Sequence, residues 1–334
     1  MTHRVVIQQT AQSFDVDAGE SVLQAALRQD VQLAHECTFG GCGTCRVKLV
    51  EGAVEYQEFP MALSPEEAQQ GYALMCQARP QSDLVISAAP ALEGIFQPQR
   101  CKALVRDIRR LCTDVANLQL ALPDLPAFDY LPGQYMNIHL ADGTHRSFSM
   151  ASGPKAGVVD FHVRRIPGGR FTERHLDTIA PGDALDVELP LGTFRYHSED
   201  YRPILMVATG TGVAPIKSML ESLMDDPDCP PVWLYWGMRR EADLYLDAQI
   251  RGWTGRLYEF QYVPVLSRPS DQWQGRRGHV QHAVLQDLPD LSEHSIYLCG
   301  SPTMINDAKQ EFLAHGADME HIYTDGFSFQ HAMN

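Results

Sequence analysis

Four cysteines constrain this chain more than any other feature it carries. Cys37, Cys42 and Cys45 form a C-x4-C-x2-C run, and Cys76 follows within Leu74-Met75-Cys76-Gln77-Ala78. That spacing is the one used to ligate a plant-type 2Fe-2S cluster. Thiolates are soft donors suited to iron, and Gly40, Gly41 and Gly43 let the intervening loop wrap tightly and turn backbone amides toward the sulfurs. The competing reading is a zinc site or a set of reactive thiols, but zinc knuckles usually begin C-x2-4-C and pair with a second such dipeptide or with histidines. Cys101, Cys112, Cys229 and Cys299 lie scattered, so a disulfide framework is a poor description and patterned cysteines favour metal. Arg46, beside Cys45, is a candidate for tuning the cluster's electrostatics and equally a surface arginine.

The 334 residues exceed one ordinary domain and predict two or three. Alternating apolar residues mark strands at 5–7 and 13–16, followed by a helix from Ser21, its cap, to Arg28, and a strand at 84–87. Pro90, Gly94 and Pro98 mark a linker. Short strands then recur at 103–108, 117–122, 134–140, 146–150, 158–165 and 184–189, the spacing of a small antiparallel barrel. From Arg202 the strands become continuously apolar, at 204–208, 232–236, 262–265 and 296–298, with helical segments between them, which predicts a parallel α/β sheet. The expected boundaries are 1–93, a linker at 94–100, 101–198 and 199–334.

A formal charge of −15 opposes binding to nucleic acid, whose recognition rests on clustered Lys and Arg. Residues 1–95 hold five Lys plus Arg against twelve Asp plus Glu, a balance of −7, which suits a basic docking partner or a solvated acidic face. No leader and no apolar run of about 20 residues appears, so no membrane partner and a cytoplasmic location are expected.

Gly133-Gln134-Tyr135 and Arg146-Ser147-Phe148-Ser149 resemble the flavin site of the ferredoxin-NADP reductase superfamily, whose motif usually reads Arg-x-Tyr-Ser. The resemblance implies that Arg146 meets the flavin pyrophosphate and that Ser149 hydrogen-bonds the isoalloxazine near its reactive nitrogen, with Ser147 and Phe148 beside them. Phe148 replaces the usual tyrosine, keeping a flat apolar contact and losing the hydroxyl. Residues 164–172 look like the family's second flavin segment, which implies cofactor contacts from Arg164, Gly169, Arg170, Phe171 and Thr172, the glycines letting backbone amides approach phosphate.

The strand ending at Thr209 runs into Gly210-Thr211-Gly212-Val213-Ala214-Pro215 and a helix expected over 216–224, where phosphate would sit at the helix N-terminus. Thr209, Gly210, Thr211, Gly212 and Pro215 are therefore nucleotide candidates, a purely structural turn being the alternative. Cys299-Gly300-Ser301-Pro302 resembles the superfamily's Cys-Gly-x-Pro segment, which implies that Cys299, Gly300 and Pro302 line the nicotinamide pocket. In that reading Ser149 and Cys299 are the catalytic candidates, with Cys299 shaping hydride-transfer geometry and not acting as a nucleophile; a buried small hydrophobe is the alternative. Asp325-Gly326-Phe327 resembles the closing segment in which an aromatic ring covers the flavin, with a core phenylalanine and Phe329 as rivals to Phe327. Arg239 and Arg240 are candidates for a 2′-phosphate, and NADH against NADPH stays open.

The domain order matches the benzoate-dioxygenase-reductase type, and the last third also resembles terephthalate-dioxygenase reductases and CDP-6-deoxy-glucoseen reductases. The resemblance implies a multidomain α+β and α/β chain: an N-terminal β-grasp 2Fe-2S ferredoxin, a central antiparallel β-barrel for FAD, and a C-terminal Rossmann-like parallel α/β domain for NADH or NADPH. It implies a monomeric electron-transfer reductase serving a terminal oxygenase, with a Rieske aromatic-ring-hydroxylating dioxygenase as the leading partner. The alternatives are a CDP-deoxysugar dehydrase, a multicomponent monooxygenase, or a redox-sensing carrier. Plant-type clusters lie near −400 mV and Rieske centres at about −150 to +300 mV, so the leading direction is downhill.

Overall fold

The computed structural model describes the chain apart from residues 1, 32, 36, 37, 42, 89–97, 156, 225 and 328–334, and apart from the side chains of residues 170, 173 and 174. The chain divides into two compact units, one made chiefly of Met1–Ile95 and the other of Phe96–Tyr323.

In the first unit, β1 (His3–Ile7) and β2 (Ser13–Val16) form an antiparallel pair whose alternation buries Val5, Ile7, Phe14 and Val16. α1 (Val22–Arg28) begins at Ser21, whose Oγ accepts the Gln24 N–H while Gln24 Oε1 accepts the Ser21 N–H. Such a reciprocal cap stabilises a helix start by about 1 kcal/mol. There follow β3 (Arg46–Glu51), β4 (Val54–Glu55), α2 (Pro65–Gln69), β5 (Tyr72–Leu74), β6 (Arg79–Pro80) and β7 (Leu84–Ser87). Among the described residues one sheet runs β2-β1-β7-β3-β5, with β1 and β7 parallel and its other pairs antiparallel, and α1 closes a core around Val5, Leu23, Leu74 and Ile86. This is a β-grasp arrangement.

The second unit opens with β8 (Gln99–Arg110), β9 (Val115–Ala121), β10 (Tyr135–His139), β11 (His145–Ser149), β12 (Val158–Arg164) and β13 (Ala184–Leu191). Gln99 and Arg100, within the expected linker, already pair with Leu189 and Glu188; residues 94–97 lie outside the described residues. The order is β11-β10-β13-β8-β9-β12, all antiparallel, and a bridge between Met150 and Phe161 joins its two ends into a barrel. Leu118, Leu120, Met136, Ile138, Phe161 and Val163 fill its interior.

A parallel layer follows: β14 (Ile204–Thr209), α3 (Val213–Leu223), β15 (Val232–Met238), α4 (Asp247–Arg251), β16 (Gln261–Leu266), β17 (Arg276–Arg277), α5 (Val280–Asp287), β18 (Ser295–Gly300), α6 (Pro302–Ala314) and β19 (Ile322–Gly326). The order is β17-β16-β15-β14-β18-β19. β18 is buried along its whole length and β14 at every residue but Thr209, as expected of parallel strands covered by helices on both faces. α3 starts three residues before its sequence expectation, because Pro215 falls in the first turn, where the missing N–H has no helical partner to lose. Barrel and parallel layer are bonded within this unit. Lys217 Nζ donates to Ala151 O at 2.7 Å, and the Ser218 Oγ and Tyr130 hydroxyl both donate to Ser152 O. No helix among the described residues is long and apolar enough to cross a membrane.

Candidate functional site

The cluster candidates meet through sheet register. β3 and β5 pair antiparallel with Arg46 opposite Leu74, which brings Cys45, just before β3, beside the turn that follows β5. The Met75 N–H donates to Cys45 O at 3.1 Å, and the Cys76 N–H reaches Cys45 Sγ at 3.5 Å. Both cysteines are buried. A thiol sulfur that receives a backbone N–H and sits against a second cysteine is a fitting donor pair for an iron–sulfur cluster. Cys37 and Cys42 lie outside the described residues. The loop nearby is built for glycine: Gly40 has φ +82°, and a Cβ there would stand 2.8 Å from Pro60 Cβ. Arg46 is not a surface arginine. Its Nη1 bonds Glu67 Oε1 at 2.8 Å, and Glu67, 2 % exposed, also accepts the Ser64 N–H.

On the barrel, strand alternation puts Arg146 and Phe148 on one face of β11 and Ser147 and Ser149 on the other. Arg146 Nη1 donates to His145 O at 2.6 Å, and Ser147 Oγ to Asn137 Oδ1 at 2.7 Å. Phe148 packs against the buried ring of Phe171, centroids 5.3 Å apart. Ser149 is buried at the last position of β11, opposite Tyr135, so a flat ring held by it would lie at the strand's end. Arg164 Nε bonds Asp114 Oδ2 at 2.8 Å; burial raises the Asp114 carboxyl, but the arginine outweighs it and holds it below the usual range. Gly169 precedes a single π-helical turn over 170–175, and a Cβ on it would collide with Thr172 Oγ1, whose hydroxyl sits on the backbone of Ile166.

The nucleotide candidates converge at the carboxyl ends of β14 and β18. The strand order reverses direction there, β14 lying between β15 and β18, and such a reversal opens the crevice in which open α/β sheets bind ligands. Gly210–Gly212 forms a tight turn into α3, and a Cβ on Gly212 would strike the Cys299 carbonyl. A Cβ on Gly300 would strike Thr209 Oγ1, which accepts the Ser301 N–H at 3.4 Å. Ser301 in turn caps α6 through the Met304 N–H, with Pro302 in the first turn. The two turns are thus held face to face with room for backbone only, a cradle that suits a phosphate-bearing ligand. Cys299 is fully buried, Pro215 is buried in α3, and Thr209 and Thr211 are half-exposed.

Arg239 and Arg240 are exposed just beyond β15. Phe327 follows β19 and is half-buried, and Phe329 lies outside the described residues. His162, which no sequence motif singles out, is a buried barrel residue whose Nδ1 lies 3.2 Å from the Tyr245 hydroxyl. Nothing local marks the pair, because 83 residues separate its members.

Three family models match the chain in sequence order: a 2Fe-2S iron-sulfur cluster binding domain over residues 5–81, an oxidoreductase FAD-binding domain over 102–196, and an oxidoreductase NAD-binding domain over 206–310. The chain is 35% identical to a CDP-6-deoxy-L-threo-D-glycero-4-hexulose-3-dehydrase reductase of Yersinia pestis, covering 94% of this chain and 95% of that one. It is 32% identical to reductase component 1 of a terephthalate 1,2-dioxygenase from a Comamonas species, covering 98% of each. The crystal structure of the Amycolatopsis cytochrome P450 reductase GcoB superposes with a TM-score of 0.73 at 30% identity, covering 97% of this chain and 98% of that chain.

Proposed function

From the premise that the chain belongs to the iron-sulfur flavoprotein reductases of the ferredoxin-NADP reductase superfamily, we propose that it supplies single electrons to a terminal oxygenase, with a Rieske aromatic-ring-hydroxylating dioxygenase as the acceptor. The chain itself is a nicotinamide-dependent oxidoreductase with FAD and 2Fe-2S domains. When bound, the nicotinamide supplies two electrons as hydride, the flavin stores them, and the cluster releases them one at a time.

The chain's own residues supply position. Cys45 and Cys76, brought together by the β3–β5 register, would hold two corners of the cluster, with Cys37 and Cys42 as the other ligands. Arg146, Ser149 and the 164–172 segment would anchor and orient FAD at the barrel's rim. The Gly210–Gly212 and Cys299–Pro302 turns would seat the nucleotide so that its ring faces the flavin. The observation that carries the reading is the end-to-end similarity to a terephthalate dioxygenase reductase component and a toluate dioxygenase electron transfer component. An acidic balance of −7 over residues 1–95 favours a basic docking face on the acceptor.

A dehydrase acceptor is the second reading, supported by the 35% identity to the Yersinia reductase. The deciding experiment mixes the purified holoprotein anaerobically with NADH or NADPH and then with cytochrome c, a Rieske oxygenase component, or a pyridoxamine-dependent sugar dehydrase. Reduction of cytochrome c and of the Rieske centre supports the proposal. Electron delivery to the dehydrase alone replaces the acceptor, and no reduction of cytochrome c with either nucleotide overturns the reductase reading itself.

A further inference from the structure

Two residues on the same face of β12 are linked to a single residue of the nucleotide turn, Arg164 directly and His162 through two aromatic rings. His162, buried at 8 % exposure, sits with its ring edge-on to Tyr245, centroids 5.4 Å apart at 84°, and its Nδ1 lies 3.2 Å from the tyrosine hydroxyl. The Tyr245 ring stands edge-on to Trp236, 5.2 Å away at 88°. Trp236, fully buried in β15, donates its Nε1–H to the Gly210 carbonyl at 2.9 Å. Two residues further along β12, Arg164 approaches Gly210 from its Cα side: a Cβ there would meet Nη1 at 2.9 Å. Asp114 steadies that guanidinium from behind at 2.8 Å.

Gly210 is the first residue of the turn and carries φ +59°. Its carbonyl side is therefore fixed from the barrel through His162, Tyr245 and Trp236, and its Cα side through Arg164. Edge-to-face aromatic contacts have preferred angles and resist sliding, so the route from β12 to the turn is stiff. Burial also keeps the imidazole neutral, pushing His162 down to about 3, so the route is not broken by protonation near neutral pH.

We propose that His162, Tyr245 and Trp236, with Arg164, are positioning residues that lock the Gly210–Gly212 turn to the flavin barrel and thereby set the geometry of hydride transfer. The inference rests on the reading that this turn seats the nucleotide while β11 and the segment after β12 seat the flavin. Hydride transfer demands that the reacting atoms sit about 3–3.5 Å apart, and a displacement of roughly 1 Å can cost about a hundredfold in rate. A turn carried by one layer and a ring carried by another need a direct mechanical tie.

The test uses holoprotein carrying Tyr245→Phe, which keeps the ring and removes the hydroxyl, and Trp236→Phe, which removes the donor to Gly210. Two readouts separate positioning from general structure. The first is hydrogen exchange of the 210–213 amides in nucleotide-free protein, where both variants should exchange about tenfold faster or more while β12 and β14 amides keep wild-type protection. The second is rapid-reaction kinetics with NADH and with deuterated NADH: the limiting rate of flavin reduction should fall about tenfold with the isotope effect kept or enlarged, while the dissociation constant of a non-reducing nicotinamide analogue changes by less than about threefold.

Wild-type exchange at 210–213 together with an unchanged limiting rate would overturn the proposal, as would an unchanged rate with weakened analogue binding, which would make the contacts part of affinity only. Should Trp236→Phe fail to fold, Tyr245→Phe decides alone, with His162→Gln as its partner variant. A wild-type protein whose flavin neither nucleotide reduces would instead sink the function on which the inference rests.

Discussion

Arg46 adjoins the candidate cluster ligand Cys45 in sequence, yet its guanidinium is paired with the buried carboxylate of Glu67, so its charge answers a structural need first. Removing one partner of a buried pair strands the other, at a cost of about 3–5 kcal/mol. Glu67→Ala should therefore lower stability by about 3 kcal/mol, read as a shift in the urea midpoint followed by loss of cluster absorbance. Cys76→Ser should abolish the cluster's absorbance and electron-paramagnetic signal while nucleotide still reduces the flavin; loss of both would show that the two sites are not separable. His162 carries a pH consequence. Burial first, then the charge of Lys217, lowers it from 6.5 to about 3, with Asp160 opposing and Arg109 adding. The unfolded chain binds a proton there below about 6.5 that the native state refuses until about 3, so stability falls as pH drops through that window. One group contributes a slope of about 1.4 kcal/mol per pH unit, and denaturation profiles of His162→Gln should be flatter than wild type by about that amount between pH 6 and 4.

At the scale of elements, what matters is how strand ends and turns are locked. The β3–β5 register delivers Cys76 to Cys45. The contact between Gly212 and the Cys299 carbonyl leaves no volume for a methyl group. Gly212→Ala should accordingly push the two turns apart and weaken nicotinamide nucleotide binding by about tenfold or more, equivalent to about 1.4 kcal/mol, with the cluster spectrum untouched. Titration of flavin absorbance with a non-reducing analogue measures it, and wild-type affinity would mean that the turn does not hold nucleotide. Most patterned elements were legible beforehand: the capped helix at Ser21, the barrel strands and the apolar strands of the parallel layer fall where the pattern of burial places them, whereas β3 at Arg46–Glu51 and β19 at Ile322–Gly326 were not anticipated. β5 at Tyr72–Leu74 and β6 at Arg79–Pro80 were not either, since two or three residues hold no period and form only because longer strands offer them partners.

Across the whole molecule, each of the three domains has its own buried core, while the barrel and the parallel layer form one compact unit. The acidic charge, −15 in all and −7 over residues 1–95, should make electron delivery depend on salt according to the acceptor's sign. Raising ionic strength from about 0.01 M to about 0.3 M should slow reduction of basic cytochrome c severalfold and speed reduction of ferricyanide, because screening shortens the reach of the field from roughly 30 Å to under 8 Å. Equal responses to salt for both acceptors would remove electrostatics from docking. The sequence by itself determined the chemistry and the order of the domains: ligand spacing, glycine turns and strand alternation are encoded within a few residues, so they can be read from neighbours in the chain. Only the tertiary structure decided which distant groups complete one another, such as Arg46 with Glu67, or His162 with Tyr245 across 83 residues. Those pairings are fixed by sheet register and layer packing, and a side chain buried from far along the chain leaves no periodic trace where it lands.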